Sequence, residues 1–406
     1  MVTAGQSAGV DLVTKTKRLL LNIGMAASIL ARLPATVPEY APLFTRIAQA
    51  TVIPAEVSGH GMYVSVLING QGPFRMQIDT GCSISIISPE VAAAVEARGV
   101  ETNDDDAPVV NGLGDILTMP RVLLDSVGIG GVQFQGVVVG VVPLELQSKL
   151  DSRALDGLLG YSLFADLFFA LDFPNQNLVL SDDRPKDLPP IRAEFAVTEH
   201  SEVPFIAVKL QGKEVSVMVD TGSNDRLHLP PDDLTGLQWK VEPRPGFLLA
   251  VAGEAGREQI GRLAGTLELD RLRLAEPVVG ISDGPPTVGL GLLHTFCLVF
   301  HESEDKFWLC AAEAGPLPSP PERSVGLSLF ADPDGWRVAG IIPHSPAEAA
   351  AIQEGDVVTQ IEGQPAHSWT RGQIQAWIDT HPTLNLQLSA AAGVRNVGLR
   401  VWELVP

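Results

Sequence analysis

The tripeptide Asp-Thr-Gly occurs twice in this chain, at residues 79–81 and 220–222. The two aspartates lie 141 positions apart, and each ends an apolar run with strand character. Two carboxyl groups held a few Å apart cannot both ionise, so they share one proton. The ionised group can take a proton from water while the neutral group donates to a carbonyl oxygen. Asp79 and Asp220 could therefore hydrolyse an amide bond together.

The residues next to each aspartate suit a tight turn at the junction of two halves. Gly81 and Gly222 permit a sharp turn and close backbone approach. Thr80 and Thr221 are stiff at χ1, and each has a hydroxyl able to bond across the junction. A single triplet would predict only a turn, because Asp and Gly are common there. Two triplets after two apolar strands predict a carboxyl pair, which titrates as a unit, so neither residue is assigned as acid or base.

The features that follow each triplet repeat in the same order. A glycine-punctuated segment comes first, at residues 110–115 and 250–256. An apolar-apolar-Gly element follows, at residues 158–160 and 289–291, and a short helix-like piece and a hairpin close each half. This order indicates a duplicated lobe. Runs rich in Val, Ile, Leu and Phe between turn signals predict that each lobe resembles a β-barrel.

Two proline-rich stretches, at residues 181–190 and 315–321, predict linkers. Such stretches resist helix and sheet and act as semi-rigid spacers. We therefore expect the module after the second linker to fold independently. The predicted organisation is an N-terminal segment, a first lobe, a second lobe and a C-terminal module, at residues 1–50, 51–183, 191–314 and 322–406.

Up to the second linker, these motifs resemble those of the retropepsin-like aspartic peptidases in their bacterial tandem-lobe form. The resemblance implies a mainly β fold in which two barrel-like lobes form a pepsin-like bilobal pseudo-dimer. It implies that Asp79 and Asp220 are catalytic and that the apolar-apolar-Gly elements support their loops from behind. It assigns support of the catalytic loops to Thr80, Gly81, Thr221 and Gly222. It assigns the substrate-binding flaps to Asn111, Gly112, Leu113, Gly114, Ala252, Gly253 and Glu254. It implies no cofactor.

The C-terminal module resembles a PDZ domain of the bacterial type, a small α/β fold. The motifs Ser345-Pro346-Ala347 and Glu354-Gly355-Asp356 match that type, whereas Ala351 stands where glycine is usual. The resemblance implies that a loop captures C-terminal or extended peptides through its backbone N–H groups. Its residues would be Gly326, Leu327, Ser328 and Leu329. A small β-domain without a peptide ligand is the alternative.

The two lobes depart from each other near the aspartates. Cys82 follows the first triplet where such peptidases usually have Ala, Ser or Thr, and it is either a small buried residue or an oxidation-sensitive thiol. In the second lobe, residues 224–226 are more polar than residues 83–85, and Glu254, Arg257 and Glu258 add charge to the predicted flap. We therefore expect the two halves of the cleft to recognise substrate asymmetrically.

The three cysteines, Cys82, Cys297 and Cys310, form neither a disulfide framework nor a metal-binding pattern. No metal site is predicted. A two-residue loop between Glu302 and Asp305 would place Cys297 opposite Cys310, where a disulfide could form in an oxidising compartment. A one-residue slip would put the thiols on opposite faces, and two reduced core residues are the alternative.

Charge and the N-terminus bear on partners and location. A net charge of −20 repels nucleic acid and anionic lipid, so no nucleic-acid partner is predicted. A basic patch at residues 15–18 precedes an apolar stretch at residues 19–30. This is either an export signal or an amphipathic helix packed on the first lobe. The first alternative predicts the periplasm or cell envelope, with possible membrane proximity, and the second is compatible with the cytoplasm.

Two functions fit these patterns. The first is an aspartic endopeptidase that acts on polypeptide substrates and captures chains through its PDZ module. The second is a non-catalytic peptide-binding protein built on a peptidase fold. No sequence feature disrupts the Asp79/Asp220 pair, which favours the endopeptidase.

Overall fold

The computed structural model describes residues 43–44, 47, 49–59, 61–100, 109–110, 116–117, 119–144, 148, 153–198, 203–251, 254–313, 317–391 and 393–406. The N-terminal stretch at residues 1–42 and six of the predicted flap residues lie outside these ranges. Those six are Asn111, Gly112, Leu113, Gly114, Ala252 and Gly253. Within the described ranges, no helix has the length and apolar character needed to span a bilayer.

The first lobe is built almost entirely of strands. They are β1 (Leu43–Phe44), β2 (Thr51–Pro54), β3 (Glu56–Ser58), β4 (Gly61–Ile68), β5 (Gln71–Asp79), β6 (Ile86–Ile87), β7 (Arg98–Gly99), β8 (Val109–Val110), β9 (Ile116–Leu117), β10 (Arg121–Ile129), β11 (Val132–Val141), β12 (Gly157–Gly160), β13 (Phe168–Asp172) and β14 (Asn177–Ser181). Helix α1 (Pro89–Ala94) follows β6, with Ser88 as its N-cap, and a 3-10 helix, Tyr161–Phe164, follows β12.

The second lobe repeats this composition. Its strands are β15 (Ile191–Ala196), β16 (Phe205–Leu210), β17 (Lys213–Asp220), β18 (His228–Leu229), β19 (Trp239–Val251), β20 (Glu254–Leu263), β21 (Thr266–Leu269), β22 (Leu272–Ala275), β23 (Val278–Ile281), β24 (Thr287–Gly289), β25 (Cys297–His301) and β26 (Lys306–Cys310). Helix α2 (Leu290–Leu293) follows β24, and 3-10 turns span Pro231–Leu234 and Glu302–Glu304.

The main sheets of the two lobes have the same strand order. In the first lobe the order runs β11-β6-β12-β5-β4-β10, and in the second it runs β23-β18-β24-β17-β16-β21. Each sheet places the strand that ends in aspartate, β5 or β17, between an antiparallel neighbour and a parallel one. The duplication predicted from the motif order is therefore present in the fold.

A six-stranded sheet joins the lobes, in the order β15-β26-β25-β13-β14-β2. Strand β13 of the first lobe pairs antiparallel with β25 of the second, with Ala170 opposite Val299. The rings of Phe169 and Phe300 stack across this junction, with centroids 4.7 Å apart. One buried apolar core runs from the first lobe through this sheet into the second. The burial of that shared core holds the two lobes together.

The hairpin β25–β26 has the register predicted from its turn. Cys297 lies opposite Cys310, and His301 lies opposite Lys306. Both cysteines are buried and reduced. Asp305 adopts the left-handed conformation at the end of the 3-10 turn, which closes the hairpin in this register.

The C-terminal module has its own sheet and core. Its strands are β27 (Glu322–Ser324), β28 (Leu327–Asp332), β29 (Gly335–Ile341), β30 (Val357–Ile361), β31 (Gln364–Pro365), β32 (Thr383–Ala390), β33 (Gly393–Arg400) and β34 (Trp402–Val405). Its helices are α3 (Pro346–Ala349), α4 (Arg371–Thr380) and the 3-10 turn Ala366–Ser368. A capping box between Thr370 and Gln373 begins α4. Ala351, at the turn after α3, has φ 52°, which explains why glycine is usual there.

The second proline-rich linker is not the free spacer that its composition predicts. Arg262 donates hydrogen bonds to Ser319 Oγ at 2.8 Å and to Pro320 O at 2.9 Å, and Arg226 donates to Pro320 O at 3.0 Å. Leu317 also forms a β-bridge with Leu274. Proline lacks an N–H, but its carbonyl still accepts hydrogen bonds. Arg226 and Arg262 therefore fix the linker to the second lobe. The composition of the linker does not reveal these contacts.

Candidate active site

Two strands bring Asp79 and Asp220 to the centre of the molecule. Asp79 is the last residue of β5 and Asp220 is the last residue of β17. A parallel strand supports each aspartate, with Gly160 of β12 beside Asp79 and Gly289 of β24 beside Asp220. A Cβ on Gly160 would lie 2.4 Å from the carbonyl carbon of Ile84. These glycines let the loop after each aspartate pack directly on the supporting strand.

This register corrects the support element predicted for the second lobe. The counterpart of Leu158-Leu159-Gly160 is Thr287-Val288-Gly289, because Gly160 and Gly289 pair with the two aspartates. The predicted triplet, residues 289–291, begins at that glycine and continues into α2. Thr287 interrupts the apolar pattern of this strand. The prediction from the pattern alone therefore fell on residues 289–291, which follow it. A parallel pairing between distant strands decides the alignment, and local sequence does not contain it.

The two threonines bind the lobes to each other through four reciprocal hydrogen bonds. Thr80 Oγ1 donates to Val219 O at 2.6 Å and accepts from the N–H of Thr221 at 3.1 Å. Thr221 Oγ1 donates to Ile78 O at 2.8 Å and accepts from the N–H of Thr80 at 3.1 Å. Both side chains are buried. The cross-junction role predicted for these hydroxyls is thus present in the geometry.

The carboxyl groups face each other across glycine backbones. The N–H of Gly81 donates to Asp79 Oδ1 at 2.9 Å, and that of Gly222 donates to Asp220 Oδ1 at 2.7 Å. A Cβ added to Gly81 would lie 2.4–2.7 Å from the Asp220 carboxylate. A Cβ on Gly222 would lie 2.5–2.7 Å from that of Asp79. Only glycine at these positions therefore lets the carboxyl group of each loop approach the other loop so closely.

The electrostatics of this pair favour a shared proton. Burial raises the pKa of Asp79 well above its ordinary value, and the nearby Asp220 charge raises it further. Burial also raises the pKa of Asp220, although its hydrogen bonds with Gly222 and Asp79 oppose the rise. One proton bound between two coupled carboxyls satisfies both tendencies. The pair therefore holds one acid and one base at the same time.

Cys82 lies beside the pair but is held as a neutral thiol. Its Sγ contacts Ile84 O at 2.9 Å, and burial together with the charges of Asp79 and Asp220 raises its pKa well above the ordinary value. Because the thiolate is the form that is readily oxidised, this environment favours the small structural residue over the redox-sensitive thiol.

The predicted flaps are only partly described. Strands β8 and β9, which flank residues 111–115, pair antiparallel, with Val110 opposite Ile116. In the second lobe Val251 of β19 pairs with Glu254 of β20. Paired strands therefore flank each predicted flap, and contact of the flaps with substrate remains a prediction.

The predicted peptide-binding loop of the C-terminal module begins at Gly326, which has φ +89°. A Cβ there would lie 2.1 Å from Ser345 Cβ, so glycine is required. The Gly326 N–H donates to Ser324 Oγ at 2.8 Å. Leu327, Ser328 and Leu329 are buried in β28, which among the described strands pairs only with β29. Binding of a peptide along β28 remains a prediction.

Comparison with protein families agrees with this architecture. Residues 64–163 match the family model described as aspartyl protease, and residues 317–390 match the PDZ domain model. The chain carries an aspartyl protease domain and a PDZ domain. The matched protease segment contains Asp79 and its supporting strand β12, and the equivalent second lobe is recognised by its repeated topology. A search among curated proteins found no relative that matches the chain.

Sequence reasoning missed several polar residues around the protease site. Ser85 Oγ accepts a hydrogen bond from the N–H of Gly160 at 3.0 Å and so ties the Asp79 loop to its support. In the second lobe His228 is buried, and so is Glu258, which the sequence analysis had named only as a charge of the predicted flap. A polar residue within an otherwise apolar strand was the available signal for His228. Among the described residues, no group of His, Cys, Asp and Glu could hold a metal ion.

Proposed function

We propose that this protein is an aspartic endopeptidase in which Asp79 and Asp220 jointly activate water against a peptide bond. The observation that carries this proposal is the approach of each carboxyl group to the glycine of the opposite loop, so close that a Cβ on Gly81 or Gly222 would collide with it. A pair that shares one proton supplies the base for water and the acid for the carbonyl oxygen in one arrangement.

The surrounding hydrogen bonds support the same chemistry. The N–H groups of Gly81 and Gly222 fix one oxygen of each carboxylate. The reciprocal bonds of Thr80 and Thr221 fix the separation of the loops. A positioned, partly desolvated pair needs little reorganisation when charge moves from the attacking water to the carbonyl oxygen. In the breakdown step, the carboxyl that took the proton from water donates it to the leaving nitrogen as the C–N bond breaks. The other carboxylate takes a proton back from a hydroxyl of the tetrahedral intermediate, which returns the pair to its one-proton state.

The PDZ domain is proposed to bind polypeptide chain ends or extended segments along β28. The match of residues 317–390 to the PDZ domain model and the glycine turn at Gly326 support this role. Together the two domains would capture and cut polypeptides.

The test is cleavage of an unfolded protein at mildly acidic and neutral pH, with and without a transition-state-mimicking inhibitor of aspartic peptidases. Asp79→Asn and Asp220→Asn should each reduce cleavage about 10³-fold or more, and by similar factors, because the pair acts as a unit. Asp183→Asn, on an exposed part of the first linker, is the matched control and should retain activity. Near-normal cleavage by either dyad variant would refute the proposal.

A further inference from the structure

The loop that follows the first Asp-Thr-Gly triplet is fixed by contacts inside its own lobe. The N–H of Tyr161, the residue after the supporting glycine, donates to Cys82 O at 2.8 Å. The N–H of Ser162 donates to Ser83 O at 3.1 Å. The next residue of the loop, Ile84, packs against an apolar cluster of the first lobe. Backbone bonds and apolar packing together hold this loop.

The loop that follows the second triplet makes the same two bonds but contains one more residue. The N–H of Leu290, again the residue after the supporting glycine, donates to Ser223 O at 2.8 Å. The N–H of Gly291 donates to Asp225 O at 3.1 Å and so skips one position, in contrast to the first lobe. The next residue is Arg226. A charged side chain therefore stands where the first loop has an apolar one.

The side chain of Arg226 extends from this loop to the second proline-rich linker. A Cβ added to Gly291 would lie 2.9 Å from Arg226 Cγ, so the stem of the arginine passes directly over α2. Its Nη1 donates to Pro320 O at 3.0 Å. The loop after Asp220 is thus tied to the linker.

The carbonyl oxygen of Pro320 is a fixed point because another arginine of the second lobe holds it. Arg262 on β20 is buried and donates to Pro320 O at 2.9 Å. It also donates to Ser319 Oγ at 2.8 Å and to Glu276 O at 2.7 Å. Ser319 Oγ donates in turn to Glu276 O at 2.9 Å. This network sets the position of the linker carbonyl, to which Arg226 then binds.

The PDZ domain holds the linker from its other end. Strand β27 begins at Glu322, shortly after Pro320, and pairs with β34. Leu404 of β34 shares an apolar cluster with Ile260 of β20, the strand that carries Arg262. Docking of the PDZ domain and anchoring of the linker therefore belong to one interface.

We propose that Arg226 is a positioning residue for Asp220, with the carbonyl oxygen of Pro320 as its anchor. This inference rests on the proposed peptidase function and adds a residue to that site. Asp220 and Arg226 belong to the same loop, so release of the loop at Arg226 lets the Asp220 carboxyl move relative to Asp79. Because the reaction needs both carboxyls in one alignment, even a small displacement lowers its rate steeply. The docked linker thereby acts on the Asp220 half of the dyad, whereas contacts inside the first lobe hold the Asp79 half.

The first measurement is the rate of cleavage of a short acetylated and amidated peptide, taken from the digest of an unfolded protein. Arg226→Met keeps an unbranched stem but removes the donor, so it should lower kcat about 10-fold or more and change KM by less than about twofold. Arg226→Lys keeps a donor and should retain a kcat at least about threefold above that of Arg226→Met. Circular dichroism checks that each variant is folded at the assay temperature.

Arg192→Met is the matched control. Arg192 also donates to a backbone carbonyl, Ala311 O at 2.9 Å, but it lies on β15 of the six-stranded sheet rather than in the loop after Asp220. This variant should keep the kcat of the wild-type protein. The inference would be overturned by a wild-type kcat in Arg226→Met, by an equal loss in Arg192→Met, or by a folded Arg226→Lys that is as slow as Arg226→Met.

The second measurement, amide hydrogen exchange, does not need catalysis. The N–H groups of Leu290 and Gly291 report on the loop because they donate to it. In Arg226→Met, peptides covering residues 221–229 and 287–293 should exchange about fivefold faster or more, while those covering residues 80–88 should not change. Arg192→Met should match the wild-type protein in all of these peptides.

Failure of the peptidase function would be a different result. If the wild-type protein cleaves no peptide, that function is refuted, and hydrogen exchange by itself decides the role of the anchor. Faster exchange in Arg226→Met would then support the anchor, and unchanged exchange would refute it. If Arg226→Met does not fold, Arg226→Gln replaces it in both measurements, because its amide ends short of the position of the guanidinium Nη atoms.

Discussion

Single hydrogen-bonding atoms hold the loops after Asp79 and Asp220 in register. Thr80 and Thr221 each satisfy a carbonyl of the opposite strand and accept from the opposite threonine N–H. These groups are buried, so water cannot replace a lost partner. Each threonine therefore stabilises the fold and also helps to set the distance between the two carboxyl groups.

Removal of the Thr80 hydroxyl should be costly. Thr80→Val keeps the shape but leaves Val219 O and the N–H of Thr221 without their present partner. We expect a loss of about 2–5 kcal/mol in the free energy of unfolding and a parallel loss of activity. Thr80→Ser keeps the hydroxyl and should cost about 1 kcal/mol. Chemical denaturation measures both, and equal stability of the two variants would contradict the role of the hydroxyl.

The raised pKa values of the dyad also predict a pH effect on stability. Above about pH 3.9, the two carboxyls hold more protons in the folded protein than in the unfolded chain. The contribution of the dyad to stability therefore falls as pH rises towards the folded pKa values. Asp79→Asn removes one of the two coupled carboxyls. Its melting temperature relative to wild type should therefore be higher at pH 7 than at pH 3.

Thermal unfolding followed by circular dichroism checks this difference. The control is Asp183→Asn, which changes the charge at an exposed position. Its melting difference from wild type should be the same at both pH values. A pH-independent difference for Asp79→Asn would mean that the dyad does not bind its extra proton in the folded state.

At the scale of elements, the six-stranded sheet converts two lobes into one cleft. Strands β13 and β25 pair directly, and aromatic side chains on both sides stack at their junction. The strands carry the cores of both lobes, so a change of angle between the lobes would disrupt this sheet. The cysteine pair lies within it.

Cys297 and Cys310 should remain reduced while the sheet is folded. They are directly opposed, but both are buried, and burial raises the pKa of Cys310 to about 11. Because exchange requires a thiolate with access to oxidant, oxidised glutathione should leave native protein with its thiols intact. Denaturation and slow oxidative refolding should permit the bond.

Mass spectrometry after alkylation distinguishes the two states, because each free thiol gains an alkyl group and a disulfide gains none. The variant Cys82→Ser is the control, because it keeps the opposed pair while removing the remaining cysteine. Rapid formation of the disulfide in native protein at neutral pH would contradict the expected protection.

At the scale of the whole molecule, the PDZ domain is packed on the protease rather than tethered to it. Ile260 and Val278 of the second lobe share an apolar cluster with Ile342, Leu404 and Val405. On the first lobe, Gly59 in the turn before β4 meets the backbone of Gly372 in α4, where an added Cβ would lie 3.0 Å away. The PDZ domain therefore contacts both lobes.

Deletion of the PDZ domain by truncation before Pro321 should destabilise the protease domain. The linker composition predicts instead that the two domains fold independently. The truncation would expose Ile260 and Val278, at a cost of about 2–4 kcal/mol. We expect a lower melting temperature, some self-association and retained cleavage of short peptides at low temperature. Cleavage of large substrates should fall further, because the proposed capture site is gone.

The companion variant is the truncated protein with Ile260→Thr, which should associate less in light scattering. A truncated protein as stable as the full chain would show that the shared cluster contributes nothing. Loss of short-peptide cleavage at all temperatures would instead make the PDZ domain part of the catalytic fold.

Local signals in the sequence predicted the dyad and the duplication. Asp79 and Asp220 each end a strand and begin an Asp-Thr-Gly triplet, and these signals can be read without knowledge of the fold. The sequence also predicted the pairing of Cys297 with Cys310 but left a one-residue slip open, and the 3-10 turn Glu302–Glu304 with left-handed Asp305 closes the hairpin in the predicted register.

Relations between distant segments depended on the tertiary structure. Gly289 was identified as the support of Asp220 by parallel pairing, and Arg262 fixes a linker far along the chain. The burial of Glu258, a charged residue of the predicted flap, likewise became clear only from the fold. Such contacts depend on how sheets close and pack, and periodicity along one strand carries no information about which distant strand lies beside it.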